Sequence, residues 1–224
     1  MSKNEDYLTK ENIASKTDKW LTELIIPPKR KSNFKFSSKK SALLVIDMQK
    51  FFLNKDSHSY IPAATAIVTN VNLIISKYRE KKFPIIFTFH AYKINEKPGV
   101  MGKWWGDMLR VNNPLSDIHS SVDLHKDDII LRKNRYSAFI ETDLDKILKE
   151  KKIDTLVITG IMTHLCCETT ARDAFMRDYD VYFIIDATAT ETESLHISSL
   201  RTLTDGFTIP MKTSEILKEF NLDV

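Results

Sequence analysis

Three side chains able to do chemistry stand at or just behind short apolar runs: Asp47, Lys133 and Cys166. Asp47 follows residues 41–46 (SALLVI) directly. Lys133 lies two residues past 128–131 (DIIL), and Cys166 lies six past Gly160, behind 155–159 (TLVIT). A thiolate is a strong nucleophile, and a thiol loses its proton more easily beside a cation or a helix N-terminus. Lys133 would supply the cation. Asp47 could take the thiol proton and later return it to a leaving group. Backbone N–H groups between Gly160 and Cys166 could hold the oxyanion of a tetrahedral intermediate. No histidine is needed in this arrangement. Each group also has an ordinary reading: an Asp after a strand caps or turns the chain, a lone Lys is solvated, and a Cys is a small buried hydrophobe. Their common placement favours the chemical reading.

The elements that must position them alternate. Residues 41–46, 84–89 (PIIFTF), 128–131, 155–159 and 181–185 (VYFII) read as strands buried on both faces, because their apolar runs do not alternate with polar residues. Between them, residues 64–81 carry Ile67, Val68, Val71, Ile74 and Ile75 at helical spacing, and 144–150, 166–178 and 196–203 also read as helices. Such alternation implies an α/β fold on a parallel sheet, with ligands at the carboxyl ends of its strands. That rule places chemistry just after residues 46, 89, 131 and 159. Residues 90–123, with Trp104 and Trp105, are the least regular span and long for a connection, as lids and binding loops are.

Composition narrows the classes. The 224 residues suffice for one domain, and 42% hydrophobic with 28% charged residues is ordinary for a globular chain. A net charge of +3 makes no case for nucleic acid. The basic stretch of Lys29, Arg30, Lys31, Lys35, Lys39 and Lys40 reads as a solvated connector. Residues 1–40 read as an N-terminal extension, with an amphipathic stretch at Trp20, Leu21, Leu24 and Ile25 ended by Pro27-Pro28. Residues 41–224 form the domain proper. No secretory signal is visible, and no apolar run approaches the ~20 residues of a membrane span. The only cysteines, Cys166 and Cys167, are adjacent, which is unsuited to a structural disulfide and fits reduced thiols in the cytoplasm.

Residues 160–175 (GIMTHLCCETTARDAF) strongly resemble the nucleophile motif of the isochorismatase-like hydrolases. Residues 42–49 (ALLVIDMQ) resemble that family's first strand with its catalytic Asp, and 133–139 (KNRYSAF) the segment with its catalytic Lys. The resemblance covers about residues 38–215. It implies a three-layer α/β/α sandwich around a mostly parallel sheet, a small-molecule substrate and a homo-oligomer, dimer or tetramer. It also implies a non-proline cis peptide at Ile161–Met162, with oxyanion donors at the N–H groups of Met162 and Cys166.

The resemblance divides between two branches. Lys133 to Phe139, Trp105-Gly106 and the long extension look like true isochorismatases, which cleave a vinyl ether to pyruvate without a nucleophilic thiol and carry Gly where Cys166 stands. Cys166 with the motif after it looks like the amidase and carbamoyl-hydrolase branch, whose cysteine attacks a C–N carbonyl. We expect the second, with the vinyl ether reaction as the alternative and a non-catalytic interaction module as a third reading. No cofactor is implied. The Asp/His metal cluster of nicotinamidases is not found after the second strand, and His90 at that strand's end reads as a substrate contact or a satisfied polar group. Gln49 should share Asp47's direction on an extended backbone and orient substrate. Trp105 and Tyr136 are candidate walls for a flat substrate, and equally candidates for core or interface.

Overall fold

The computed structural model describes residues 4–24 and 33–222. Along the chain run α1 (Ile13–Glu23), β1 (Ser41–Ile46), a short α2 (Lys50–Leu53), α3 (Pro62–Ala66), α4 (Val68–Glu80) and β2 (Ile85–His90). Then come α5 (Gly99–Trp105), β3 (Ile129–Lys133), α6 (Leu144–Glu150), β4 (Thr155–Ile161) and α7 (Glu168–Phe175). The order ends with β5 (Asp180–Ala189), α8 (Glu193–Gly206), β6 (Ile209–Met211) and α9 (Thr213–Leu222).

The six strands form one sheet in the order β3-β2-β1-β4-β5-β6, and every pairing is parallel. β1 and β4 are buried along their whole length, as the unbroken apolar runs SALLVI and TLVIT require. The chain builds outward from β1 to β2 and β3, then returns to lay β4 on β1's other side. Because parallel crossovers keep one hand, this reversal sends helices to both faces. α9 packs on α4 and α7 on α8, which gives the expected three-layer α/β/α arrangement.

The reversal puts the sheet's switch point at the carboxyl ends of β1 and β4, where doubly wound sheets hold ligands. Two backbone features lie there. Gly160 sits at φ +107°, and a Cβ on it would fall 2.1 Å from the Ile46 carbonyl oxygen, so only glycine lets β4 approach β1 this closely. The Ile161–Met162 peptide that follows is cis.

Several elements differ from the sequence expectation. The helix expected over 64–81 is divided at Ile67, which caps α4. The helix expected from Cys166 begins earlier, as a π-helical turn over Thr163–Cys167, and passes into α7. β6 was not foreseen, being three residues long with Pro210 in the middle. Ile25, Pro27, Pro28, Lys29, Arg30 and Lys31 lie outside the described residues. Within them, Tyr7, Leu8, Trp20 and Leu24 are buried in the core together with residues of the sheet and α8.

Candidate active site

Lys133, Asp47 and Cys166 meet at the carboxyl ends of the strands. The Lys133 ammonium lies 2.6 Å from Asp47 Oδ2 and donates to Cys166 Sγ at 3.2 Å. A second hydrogen bond, 3.0 Å long, runs from the ammonium to the Arg135 carbonyl. All three side chains are buried, Cys166 retaining 6% exposure. Different strands supply them: Asp47 follows β1, Lys133 ends β3, and Cys166 lies in the π-helical turn after β4. Asp47 adopts φ +49°, outside the strand region. Its backbone N–H reaches Thr88 O at 3.2 Å, while the Thr88 hydroxyl donates to Oδ1 at 2.7 Å. Thr88 was missed in the sequence. Its signal was a hydroxyl inside the buried run PIIFTF, and its partner in register is Ile46, next to Asp47.

Burial pulls the Lys133 ammonium towards neutrality, but Asp47 and Cys166 outweigh it and hold the group above the usual lysine value. The thiol behaves differently from expectation. Burial pushes Cys166 up to about 12; Lys133 lowers it, while Asp47, which faces the thiol as a negative acceptor, raises it further. At rest the site therefore holds a protonated thiol beside the Asp47–Lys133 ion pair. Cys166 lies in the first, π-helical turn of the stretch that continues as α7, so burial outweighs any lowering that the helix N-terminus gives. Cys167 is fully buried, its sulfur 4.0 Å from the Thr159 carbonyl, as its position around the turn suggested.

The expected substrate contacts fall into two groups. Gln49 is fully buried and donates to the His90 and Ser116 carbonyls at 3.1 and 2.8 Å while accepting from His90 N–H at 2.8 Å. The alternation that would have aligned it with Asp47 is broken by the left-handed Asp47, and its amide braces the loop after β2. His90 ends β2 opposite Lys133 in the ladder. Its Nδ1 is buried with no hydrogen-bond partner among the described residues, and burial, with Lys133 nearby, lowers its pKa to about 4. Trp105 is half exposed, and its indole N–H donates to the Tyr136 hydroxyl at 2.7 Å, which ties the end of α5 to the segment after Lys133. Burial raises the Tyr136 phenol, with the Trp105 bond lowering it and Cys166 raising it. Met162 caps the π-helical turn, and its carbonyl accepts from the N–H groups of Leu165 and Cys167. Among the described residues, no three His, Cys, Asp or Glu side chains converge as metal ligands would.

The chain is similar to several known proteins. The family model for the Isochorismatase domain matches residues 41–215. Nicotinamidase 3 of Arabidopsis thaliana is 38% identical over 174 residues, covering 76% of this chain and 84% of the relative. Enterobactin synthase component B of Escherichia coli K12 is 29% identical over 191 residues, 85% of this chain and 67% of that protein. Among solved structures, a cysteine hydrolase from Pseudomonas syringae pv. phaseolicola superposes with a TM-score of 0.82 at 25% identity, covering 85% of this chain and 97% of the other.

Proposed function

From the premise that this chain belongs to the isochorismatase family of hydrolases, we propose that it cleaves an amide or carbamoyl C–N bond of a small molecule through a Cys166 thioester. The observation that carries this reading is a single ammonium group bridging a carboxylate and a thiol, Lys133 at 2.6 Å from Asp47 and 3.2 Å from Cys166. A vinyl ether hydrolase needs an acid but no thiol at that place. The likeness to nicotinamidase 3, whose name describes amide hydrolysis, supports the same reading.

With the thiol protonated at rest, attack is coupled to proton transfer. As Sγ bonds to the substrate carbonyl carbon, the thiol proton passes to Asp47 and the carbonyl π pair moves to oxygen. The N–H groups of Met162 and Cys166 receive that oxyanion. When the tetrahedral intermediate collapses, the C–N bond breaks and Asp47 returns the proton to the departing nitrogen. Water then attacks the thioester, giving its proton to Asp47, and the acid product leaves as the proton returns to Sγ. Lys133 stays charged throughout and offsets the negative charge that moves between the Asp47 carboxylate and the oxyanion. Trp105 and Tyr136 form one wall for the substrate, and His90, neutral at working pH, contributes a ring nitrogen to the floor.

The test is ammonia or amine release from a panel of primary amides and N-carbamoyl compounds, with pyruvate release from isochorismate measured in parallel. We expect C–N turnover that falls at least about 10³-fold in Cys166→Ala, and a thioester adduct in the intact mass of the wild type. Rapid pyruvate release by both proteins, with no C–N turnover, would replace this reading with vinyl ether hydrolysis.

A further inference from the structure

The Arg135 backbone stands one ammonium group away from the nucleophile: Lys133 Nζ donates to the Arg135 carbonyl at 3.0 Å and to Cys166 Sγ at 3.2 Å. Its side chain is partly buried, yet among the described residues it makes no ion pair. Among the described residues the guanidinium makes one hydrogen bond, a local one from Nη1 to the Asn134 carbonyl at 2.8 Å. The neighbouring carboxylates are committed elsewhere. Glu96 takes Arg132 at 3.0 Å and the Asn134 amide, and Glu141 takes the same amide at 2.8 Å. A partly buried guanidinium left without a carboxylate, where Arg132 and Lys133 just before it are both paired, is poorly accounted for by folding alone, since such groups are normally paired.

Its surroundings point to a small anion. The Arg135 Nη2 covers Gly99 at the start of α5, 3.7 Å from where a Cβ would sit. The other end of α5 is tied through Trp105 to Tyr136. α5 therefore spans the residues that follow Lys133, with the guanidinium under one end and an aromatic pair under the other. Beside it an open cleft of about 690 Å³ is lined by Lys97, Gly99, Lys103 and Asp107 among others, and Asp107 is already met by His58 at 2.7 Å. Burial raises the Tyr92 phenol and Arg135 opposes that rise, and Arg135 adds to the lowering of His90 after burial and Lys133, so its charge is felt at the carboxyl end of β2.

We propose that Arg135 anchors a carboxylate on the substrate, so that the compound hydrolysed is a small carboxylate-bearing amide or N-carbamoyl acid whose C–N carbonyl lies at Cys166 while its anion lies on the guanidinium. This rests on the C–N hydrolase reading above and narrows it. The planar fork of arginine fits a carboxylate with two parallel bonds, which a neutral isostere cannot make.

Two experiments keep the narrower claim separate from the broader one. The first compares kcat/KM on matched pairs, succinamate against butyramide and N-carbamoylglycine against its methyl ester, in wild type, Arg135→Gln and Arg135→Lys. The wild type should favour the carboxylate at least 100-fold, on the order of the 2.7 kcal/mol that such a ratio represents. Arg135→Gln should collapse the ratio towards unity through KM, and Arg135→Lys should restore part of it. An unchanged ratio in Arg135→Gln overturns the proposal. The second measures succinate binding by calorimetry to Cys166→Ala, with and without Arg135→Gln. Binding lost with Arg135 supports the anchor even if no panel amide is turned over, in which case only the C–N reading fails. Equal binding in both proteins, or none in either, overturns the anchor.

Discussion

Lys133 is asked to do two things at once, and they predict different mutational outcomes. As the partner of a fully buried Asp47, it keeps a carboxylate tolerable in the interior. Removing one member of a buried pair typically costs about 3–5 kcal/mol, because the other charge is left uncompensated. We therefore expect Lys133→Met to lose that much in denaturant unfolding. The double variant Asp47→Asn/Lys133→Met should recover a large part, and a fully stable single variant would show that the pair is not ionic. Cys166 tests the resting state. With burial holding its thiol near 12, alkylation by iodoacetamide in a Cys167→Ala background should be slow at neutral pH and still rising at pH 9. A plateau below pH 8 would mean a thiolate at rest. These residues were legible in sequence because each follows an apolar run that could only be a buried strand. The state of the thiol was not, since it depends on an enclosure that several distant segments build together. Thr88 and the Trp105–Tyr136 bond were hidden for the same reason: nothing local in PIIFTF or in 90–123 says which side chain will meet which.

At the scale of elements, the nucleophile turn is held from two sides. On one side Gly160 lets β4 press against β1, and the 2.1 Å gap to Ile46 O leaves no room for a methyl group. On the other, Thr163 Oγ1 shares a 2.9 Å hydrogen bond with His196 Nδ1 on α8, and Trp20 of α1 packs over that ring at 4.6 Å. Trp20 also donates to Glu193 at 3.0 Å, and the Tyr7 hydroxyl accepts from Thr190 N–H. The N-terminal segment thus braces the helix that braces the turn. Trp20→Ala should cost about 3–5 kcal/mol, the usual range for a buried aromatic truncated to alanine, and should lower kcat more than it raises KM. An intact kcat would confine α1 to general stability. The amphipathic pattern around Trp20 announced a helix with one buried face, but not which surface it would cover. Long apolar strands such as TLVIT could be read directly, whereas β6 could not. Three residues around Pro210 carry no periodicity, and they become a strand only because β5 offers an edge.

For the whole molecule, the consequence is an acid-sensitive fold. His196 is fully buried between Tyr7, Trp20 and Thr163, and burial lowers its pKa to about 3, against smaller opposing effects of Glu193 and the Ile185 backbone. His90 is held at about 4. Both values lie below the 6.5 of an unfolded histidine, so the unfolded chain binds protons that the folded chain refuses. The stability these two neutral rings support is fully present above pH 6.5. It declines as pH falls through that value, and the decline levels off only below the folded pKa values. Near pH 5 each such histidine adds about 1.4 kcal/mol per pH unit to the slope of unfolding free energy. His196→Phe keeps a ring in the cavity, removes one titration and gives up the bond to Thr163. It should start less stable at pH 7 yet show a slope near pH 5 shallower by about 1.4 kcal/mol per unit. Carboxylates such as Asp186, which burial raises, titrate in both proteins and cancel in the difference. Equal slopes in urea unfolding at pH 4.5, 5.0 and 5.5 would mean that water reaches His196, and that the brace between α1, α8 and the nucleophile turn opens before the sheet does.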